Sequence, residues 1–403
     1  MKKLSLLALA VLLLTACGKE KSVQLSVVND SSIDRQQETV EFCMRKIAPA
    51  LGIERGASVV VYDAEGQEVP SQMLKNACAF GRLIFQVSLK AGDSAVFTVK
   101  PGVPQEYPCQ AQATFVPRRK DDMSWENDRT IFRMYGPALA TDKDEPLISG
   151  GLDLWVKRVP ALVSQRWYQD EFDGKAVYHK DNGEGLDFYS VGKSLGAGGM
   201  APFVNGKLCL VGNNFQRYEI LENGPIRTSF RLEYDAYDVN GRPVSEQRIV
   251  TLDAGSMLNC FTIVYDGLEE GTTVAAGFPF RGFPQPAAKQ KVQPTLDNFA
   301  DVNMNSEAGY VTYAEPNNEE NGIIYLGSVM GRPSTVLLAD GHVLNCVKYE
   351  GKPVVYYSGG AWSKGGFATL ADWTAYVADF AARLQSPLKT SVKDCCGTES
   401  CEH

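Results

Sequence analysis

The stretch from Ile226 to Gly267 decides the fold. It reads IRTSFRLEYDAYDV over 226–239, EQRIVTLD over 246–253 and LNCFTIVYDG over 258–267. β-Branched and aromatic residues alternate with polar ones at a period of two, the pattern of strands with one buried face. Each run is closed by Gly, Asn or Asp, and Gly241-Arg242-Pro243 after Val239-Asn240 spells a tight hairpin. Long antiparallel strands result.

Working outward, the segment before residue 104 carries shorter runs of the same kind: VQLSVVN from Val23, ASVVVYDAEGQEV from Ala57, RLIFQVSL from Arg82 and SAVFTVKPG from Ser94. Leu83, Phe85, Val87 and Leu89 share one face, and turns are expected at Ala64-Glu65-Gly66-Gln67 and Ala91-Gly92-Asp93. Glu41 to Leu51 fits a strand or a short helix, Pro49 excluding a long one. The expected architecture is mainly β: a small N-terminal β-sandwich over 25–103, a Pro- and Arg-rich linker over 104–122, and a large antiparallel supersandwich over 123–388. One C-terminal helix is expected. Thr369 and Asp372 form a capping box, Trp373, Tyr376, Val377, Phe380 and Leu384 make its apolar stripe, and Ser386-Pro387 stops it. The stripe reads as a face packed on a sheet. Residues 389–403 are expected to be a disordered tail with three cysteines.

Composition narrows the function. The 403 residues are 44% hydrophobic and 22% charged, as in an ordinary globular chain, with a net charge of −8. Such an acidic chain has no overall pull on phosphate backbones, so nucleic acid is not an expected partner. Only three histidines are present, which disfavours a site built from several of them. Residues 1–17, MKKLSLLALAVLLLTAC, combine two lysines, an apolar run too short to span a bilayer, and the lipobox Leu14-Thr15-Ala16-Cys17. The expectation is a signal peptide over 1–16, lipidation of Cys17, a polar tether over 17–24, and anchoring in the cell envelope at the outer membrane, facing the periplasm or the surface. Cys209, Cys260 and Cys346 read equally as buried thiols or as disulfide partners.

Several chemistries are absent from the text. Gly192-Lys193-Ser194 lacks the preceding glycine of a phosphate loop, and no GxSxG or HExxH occurs. What remains is a polar and aromatic stretch from Trp125 to Met200. Arg133 and Tyr135 share a strand face, a pairing suited to a carboxylated sugar or, equally, to packing on core aromatics. Asp153, Trp155 and Lys157 alternate onto one side of another strand. Trp167-Tyr168 follows, then Tyr178-His179-Lys180, Glu184 and Asp187-Phe188-Tyr189. His179 suits a general base near neutral pH, oriented by Glu184 or Asp187, or else it caps a polar loop. Glu184 and Asp187 also fit a glycosidase carboxylate pair. No cofactor is expected, except that Asp181, Asn182, Glu184 and Asp187 offer oxygens for calcium.

WENDRTIFRMYGPAL, SGGLDLWVKR, YHKDNGEGLDFYSVGKSLGAGG, ENGPIRTSFRLEY and YYSGGAWSKGGFATLADW together resemble domain-of-unknown-function family 4861. The resemblance spans roughly residues 25–388 and implies a bacterial envelope protein linked with polysaccharide breakdown. It carries Trp125, Asn127, Asp128, Arg133, Tyr135, Gly136, Asp153, His179, Lys180, Asp187, Tyr189 and Trp362 without assigning roles to them. More loosely, the sandwich segments look like mutarotase-like and polysaccharide-lyase β-sandwiches. The resulting expectation is a carbohydrate-active protein for uronate-containing oligosaccharides. Its base would be His179, Tyr135 or Tyr178, Trp125, Trp155, Trp167 and Trp362 would stack on sugar rings, and Arg133 and Lys157 would meet carboxylates. Asn127, Asp153, Lys180 and Tyr189 complete the expected binding set. β-Elimination is the expected reaction, with hydrolysis by a carboxylate pair or non-catalytic glycan binding as alternatives.

Overall fold

A computed structural model describes residues 21–74, 79–281, 300–394 and 399–401. The leader with Cys17, and Cys78, Cys395 and Cys396, lie outside the described residues.

The N-terminal body contains β1 (Val23–Val28), β2 (Arg35–Cys43), α1 (Met44–Leu51), β3 (Val59–Tyr62), β4 (Glu68–Val69), β5 (Ser71–Leu74), β6 (Arg82–Leu89) and β7 (Ser94–Pro101). The second body begins with β8 (Ala111–Val116), β9 (Asp122–Asn127), β10 (Thr130–Met134), β11 (Asp153–Lys157), α2 (Ser164–Phe172) and β12 (Gly185–Leu186). It continues through β13 (Met200–Val204), β14 (Lys207–Leu208), β15 (Arg217–Glu222), β16 (Arg227–Val239), β17 (Arg242–Asp253), β18 (Leu258–Asp266) and β19 (Thr273–Pro279). After β20 (Val302–Asn305), β21 (Tyr310–Ala314), β22 (Ile324–Val329), β23 (Thr335–Ala339), β24 (His342–Lys348) and β25 (Val354–Trp362) comes α3 (Leu370–Gln385). β26 (Lys389–Asp394) and β27 (Glu399–Cys401) return to the N-terminal body.

The small sandwich packs the sheet β27-β26-β1-β7-β3-β4 against β2-β6-β5. Its interior is aliphatic and aromatic, with Phe42 and Phe85 stacked at 5.6 Å. The supersandwich is built on an eight-stranded antiparallel sheet, β15-β16-β17-β18-β25-β22-β21-β20, faced by two five-stranded sheets, β12-β11-β10-β9-β8 and β14-β13-β19-β24-β23. Asn240 and Gly241, both at positive φ, close the β16–β17 hairpin, as its right-handed twist requires. Tilted contact of Trp125 with Phe230 at 4.8 Å locks the minor sheet β8–β12 onto the major one.

α3 lies on the outer face of the eight-stranded sheet. Its Thr369–Asp372 capping box is formed in both directions, and Trp373 donates its indole N–H to the Leu326 carbonyl at 2.8 Å. The approach is close because β22 offers Gly327 there: a Cβ at that position would sit 3.0 Å from Trp373.

Three local expectations change. The stretch expected as a linker holds β8, which pairs with β9 and belongs to the second body. Part of the tail expected to be disordered is β26, paired antiparallel with β1 from Val23↔Asp394 to Val28↔Lys389. Trp167-Tyr168 lies on a helix, α2, whose short amphipathic pattern period-two reading passes over. Cys209, Cys260 and Cys346 are free thiols.

Candidate functional site

Alternation along β9, β10 and β11 divides the minor sheet. Trp125, Phe132 and Leu154 turn inward to the main core. Ser124, Glu126, Arg133, Asp153, Trp155 and Lys157 share the other face, which α2 and the segment 176–189 cover. Arg133 pairs in register with Ser124 on one side and Asp153 on the other. That face is polar and yet buried, which is the unusual feature of the fold.

Arg133 is its centre. The guanidinium reaches Asp153 Oδ2 through Nε at 2.8 Å and Nη2 at 2.5 Å, with Asp187 Oδ2 at 3.5 Å and Asp122 Oδ2 at 3.6 Å. It also lies over the rings of Tyr135 and Trp155 at 5.1 and 5.2 Å. Three carboxylates therefore surround one arginine, with Arg119 farther out. Burial pushes the Asp122 carboxyl up to about 6, against the pull of Arg133. Burial also raises Asp187 well above the usual range, and the neighbouring Asp153 adds to the effect. Both oxygens of Asp122, Oδ1 of Asp187, Nη1 of Arg133 and the hydroxyls of Ser124, Tyr168 and Tyr189 are buried without hydrogen-bond partners.

His179 stands at the mouth of this layer. Its ring is half exposed, and Nδ1 lies 3.0 Å from the Asp187 carbonyl and 3.5 Å from Asp187 Oδ2. A carbonyl oxygen only accepts, so Nδ1 carries the proton and the lone pair is left on Nε2. Nε2 makes no hydrogen bond among the described residues. Asp187 is thus the common neighbour of His179 and Arg133. A recess of about 290 Å³ is lined by Arg166, Trp167, Asp170, Tyr178, Asn182 and Glu184, of which Tyr178 adjoins His179 in the chain. Glu184 accepts from Arg166 and from the Trp167 indole, and those two bonds hold its carboxyl below the usual range.

Several expected roles are overturned by this geometry. Arg133 faces three protein carboxylates and is closed to a sugar carboxylate. Lys157 is buried, donating to Glu126 Oε2 at 3.0 Å and to the Ala161 carbonyl. Glu126 in turn accepts from the backbone N–H groups of Val163 and Ser164, so the pair anchors the start of α2. Tyr178 is sandwiched on Trp155 at 4.5 Å with its hydroxyl taken by Arg119, and Tyr135 sits beside Asp153. Burial raises both phenols, which removes them as proton acceptors.

Trp125, Trp155 and Trp362 are buried with no open face for stacking, and of the four only Trp167, 7% exposed, lines the recess. Trp125 donates to Asn259, Trp155 stacks on Trp167, and Arg158 covers Trp362 at 4.5 Å. Asn127 binds the carbonyls of Asp253 and Ser256, and Tyr189 lies under Arg281. The four oxygens considered for calcium diverge: Asp181 pairs with Arg158, Glu184 with Arg166, Asp187 turns inward to Arg133, and Asn182 donates to the Lys180 carbonyl. His179 and Lys180 remain at the surface. Sequence reading gave no role to Asp122 or Arg119, since the second of two Asp residues after a basic run carries no visible sign of burial.

A polar site behind the minor sheet of a β-supersandwich defines the class of protein. The chain belongs to the family described as domain of unknown function DUF4861, whose model matches residues 27–390. It is 29% identical over 407 residues to Uncharacterized protein P7 of Formosa agariphila, covering 95% of this chain and 97% of that one. Among solved structures it is similar to a glycosyl hydrolase family 38 protein from Enterococcus faecalis, with a TM-score of 0.50 and 11% identity over 93% of this chain. An alpha-mannosidase from the same organism gives a TM-score of 0.46 and 11% identity, over 95% of this chain and 47% of its own. The chain spans about half the length of these structures, 48% of the first, and the likeness concerns the fold.

Proposed function

We propose that this protein is a carbohydrate-active envelope lipoprotein, anchored through Cys17, whose site is the mouth formed by His179, Lys180 and the adjoining recess. The substrate class is an oligosaccharide carrying uronic acid, and the reaction is β-elimination. The observation that carries the reading is the His179–Asp187 contact. It fixes the imidazole tautomer and leaves Nε2 without a hydrogen-bond partner among the described residues, on a ring that is half exposed. With Arg133 occupied, Lys180, exposed and next to His179 in the chain, is the group that meets the uronate.

The step is a proton transfer followed by bond breaking. Nε2 takes the proton α to the uronate carboxylate, the C–H electron pair forms the C4–C5 double bond, and the C4–O bond breaks with its pair going to the leaving oxygen, which takes a proton from solvent water as the next sugar departs. Likeness of fold to a glycosyl hydrolase family 38 protein supports the carbohydrate class only by analogy.

Hydrolysis is the second reading, favoured by one observation: hydrogen bonds from Arg166 and Trp167 shift Glu184 down while burial shifts Asp187 up, opposed directions of the kind an acid and a base require. The experiment is to mix the purified protein with pectin, alginate, ulvan and glycosaminoglycan fragments. Ultraviolet absorbance of an unsaturated uronate is expected. New reducing ends without that absorbance establish hydrolysis instead, and retention of a fragment with neither product establishes a binding protein.

A further inference from the structure

A second concavity lies away from His179, where the small sandwich, the outer face of the eight-stranded sheet and α3 meet. It measures about 1060 Å³, at the top of the roughly 300–1,000 Å³ range of ligand sites. Half-buried Tyr357 and Phe380, edge to face at 5.1 Å, form part of its floor. Its walls carry charges that answer one another. Arg35 pairs with Glu38 at 3.1 Å, Arg227 grips Asp253 in a fork at 2.5 and 2.8 Å, and Arg383 meets Asp379 at 2.9 Å. Nε of Arg35, fully buried in this wall, has no partner. Arg129 differs from the others: it is exposed, lines the groove, and makes no ion pair among the described residues.

The position of Arg129 is built rather than incidental. It sits at the β9–β10 turn, whose two preceding residues are clamped to the β17–β18 turn. Asn127 donates to the Asp253 and Ser256 carbonyls at 2.6 and 2.7 Å, and Asp128 accepts from the Gly255 N–H at 2.6 Å. Asn127 Oδ1 then takes the Arg129 N–H at 2.8 Å. On the facing wall, β2 bulges between Arg35 and Glu38, with Gln37 at φ +49°, so Gln36 and Gln37 together oppose Ser88. Such bulges re-aim side chains beside sites. Asn127 and Asp128 belong to the sequence motif that the His179 site leaves unexplained.

We propose that this groove is a second binding site for an acidic oligosaccharide, with Arg129 taking a sugar carboxylate and Tyr357 and Phe380 meeting ring faces. The paired wall charges present donors and acceptors to hydroxyls, and Arg129, the lining cation with no ion pair among the described residues, supplies the open positive charge. This rests on the carbohydrate reading above and extends it to a separate place on the molecule. A chain held there and at His179 is retained through effective concentration, beyond either affinity alone.

The test is calorimetric titration of the mature protein with galacturonate and mannuronate hexasaccharides and with a neutral mannose hexasaccharide. Arg129→Glu is expected to weaken the acidic sugars roughly ten- to hundredfold, the loss of one charge-assisted hydrogen bond, and to leave the neutral one unchanged. Gln36→Trp, at an exposed groove position, is expected to weaken all the sugars that bind there. His179→Ala is expected to keep groove binding. Wild-type affinity for the acidic sugars in both groove variants, with unchanged thermal transitions, overturns the groove. If His179→Ala alone abolishes binding, the groove falls and the first site stands. Binding of none of these sugars overturns the groove together with the uronate reading.

Discussion

Arg248 and Arg133 are both arginines buried on β-strands against the same core, and they differ in how completely they are answered. Arg248 donates Nε to Glu246 at 2.6 Å and Nη1 to the Gly150 carbonyl at 2.5 Å, while Tyr237 donates to the other Glu246 oxygen at 2.8 Å. Neither Glu246 nor Arg248 has a buried polar atom without a partner. Arg133 sits among Asp122, Asp153 and Asp187, and its Nη1 meets Asp122 Oδ2 only at 3.6 Å, an ion pair too long for a hydrogen bond. A closed polar set specifies structure, since every group offsets its own desolvation. An open one is a standing cost, of a kind that folds retain at sites.

The comparison is broken or sharpened by four changes. The largest effect is expected at the open layer's mouth: His179→Ala lowers turnover on a verified uronate substrate by roughly 10² to 10⁴, with little change in the thermal transition. Full turnover would remove the base, and unfolding would make the open layer as structural as the closed one.

Next comes Glu246→Ala, which strands Arg248 in the core and costs about 3–5 kcal/mol in a denaturant titration. A loss below about 1 kcal/mol would show that the closed set is dispensable.

Asp122→Asn is expected to act with the opposite sign at neutral pH. Asp122 titrates at about 6 in the folded chain against 3.8 for the free group, so the folded state binds the extra proton between those values. Stability from this group is therefore full below about pH 4 and is lost as pH rises through 6. Replacement by Asn keeps the neutral form throughout, adding roughly 1–3 kcal/mol at pH 7 and flattening that part of the pH–stability curve. An unchanged curve would place Asp122 among the satisfied groups.

Thr369→Ala lies outside both layers and serves as the measure of an ordinary loss. Removing the α3 cap is expected to cost about 1 kcal/mol with no effect on sugar turnover. A turnover change there would mean that α3 reports to the site.

The sequence was most legible where one period governs a long run. β16, β17 and β18 follow from alternation and from the Asn240-Gly241 turn, and α3 follows from its cap and stripe. Arg133 and Tyr135 do share a face, and His179 does reach the same carboxylate as Arg133. What alternation left open is which face is covered. Trp155, Lys157 and Asp153 have the composition of a binding surface, yet α2 and the 176–189 segment bury them, and that cover is a tertiary fact with a weak local signature. Asp122 was hidden for the same reason. Charged residues read as exposed unless the partner that neutralises them is seen, and here the partners lie on separate strands.

The pairing of β26 with β1 ties the order of synthesis to the order of folding. The first strand of the small sandwich has β7 on one side and, on the other, a strand made only after the whole supersandwich. Until that late strand arrives, β1 presents a free edge and its sheet is unfinished. Contacts of such wide sequence separation slow folding. A nascent chain of this design therefore stays incompletely folded until its last strand has been made.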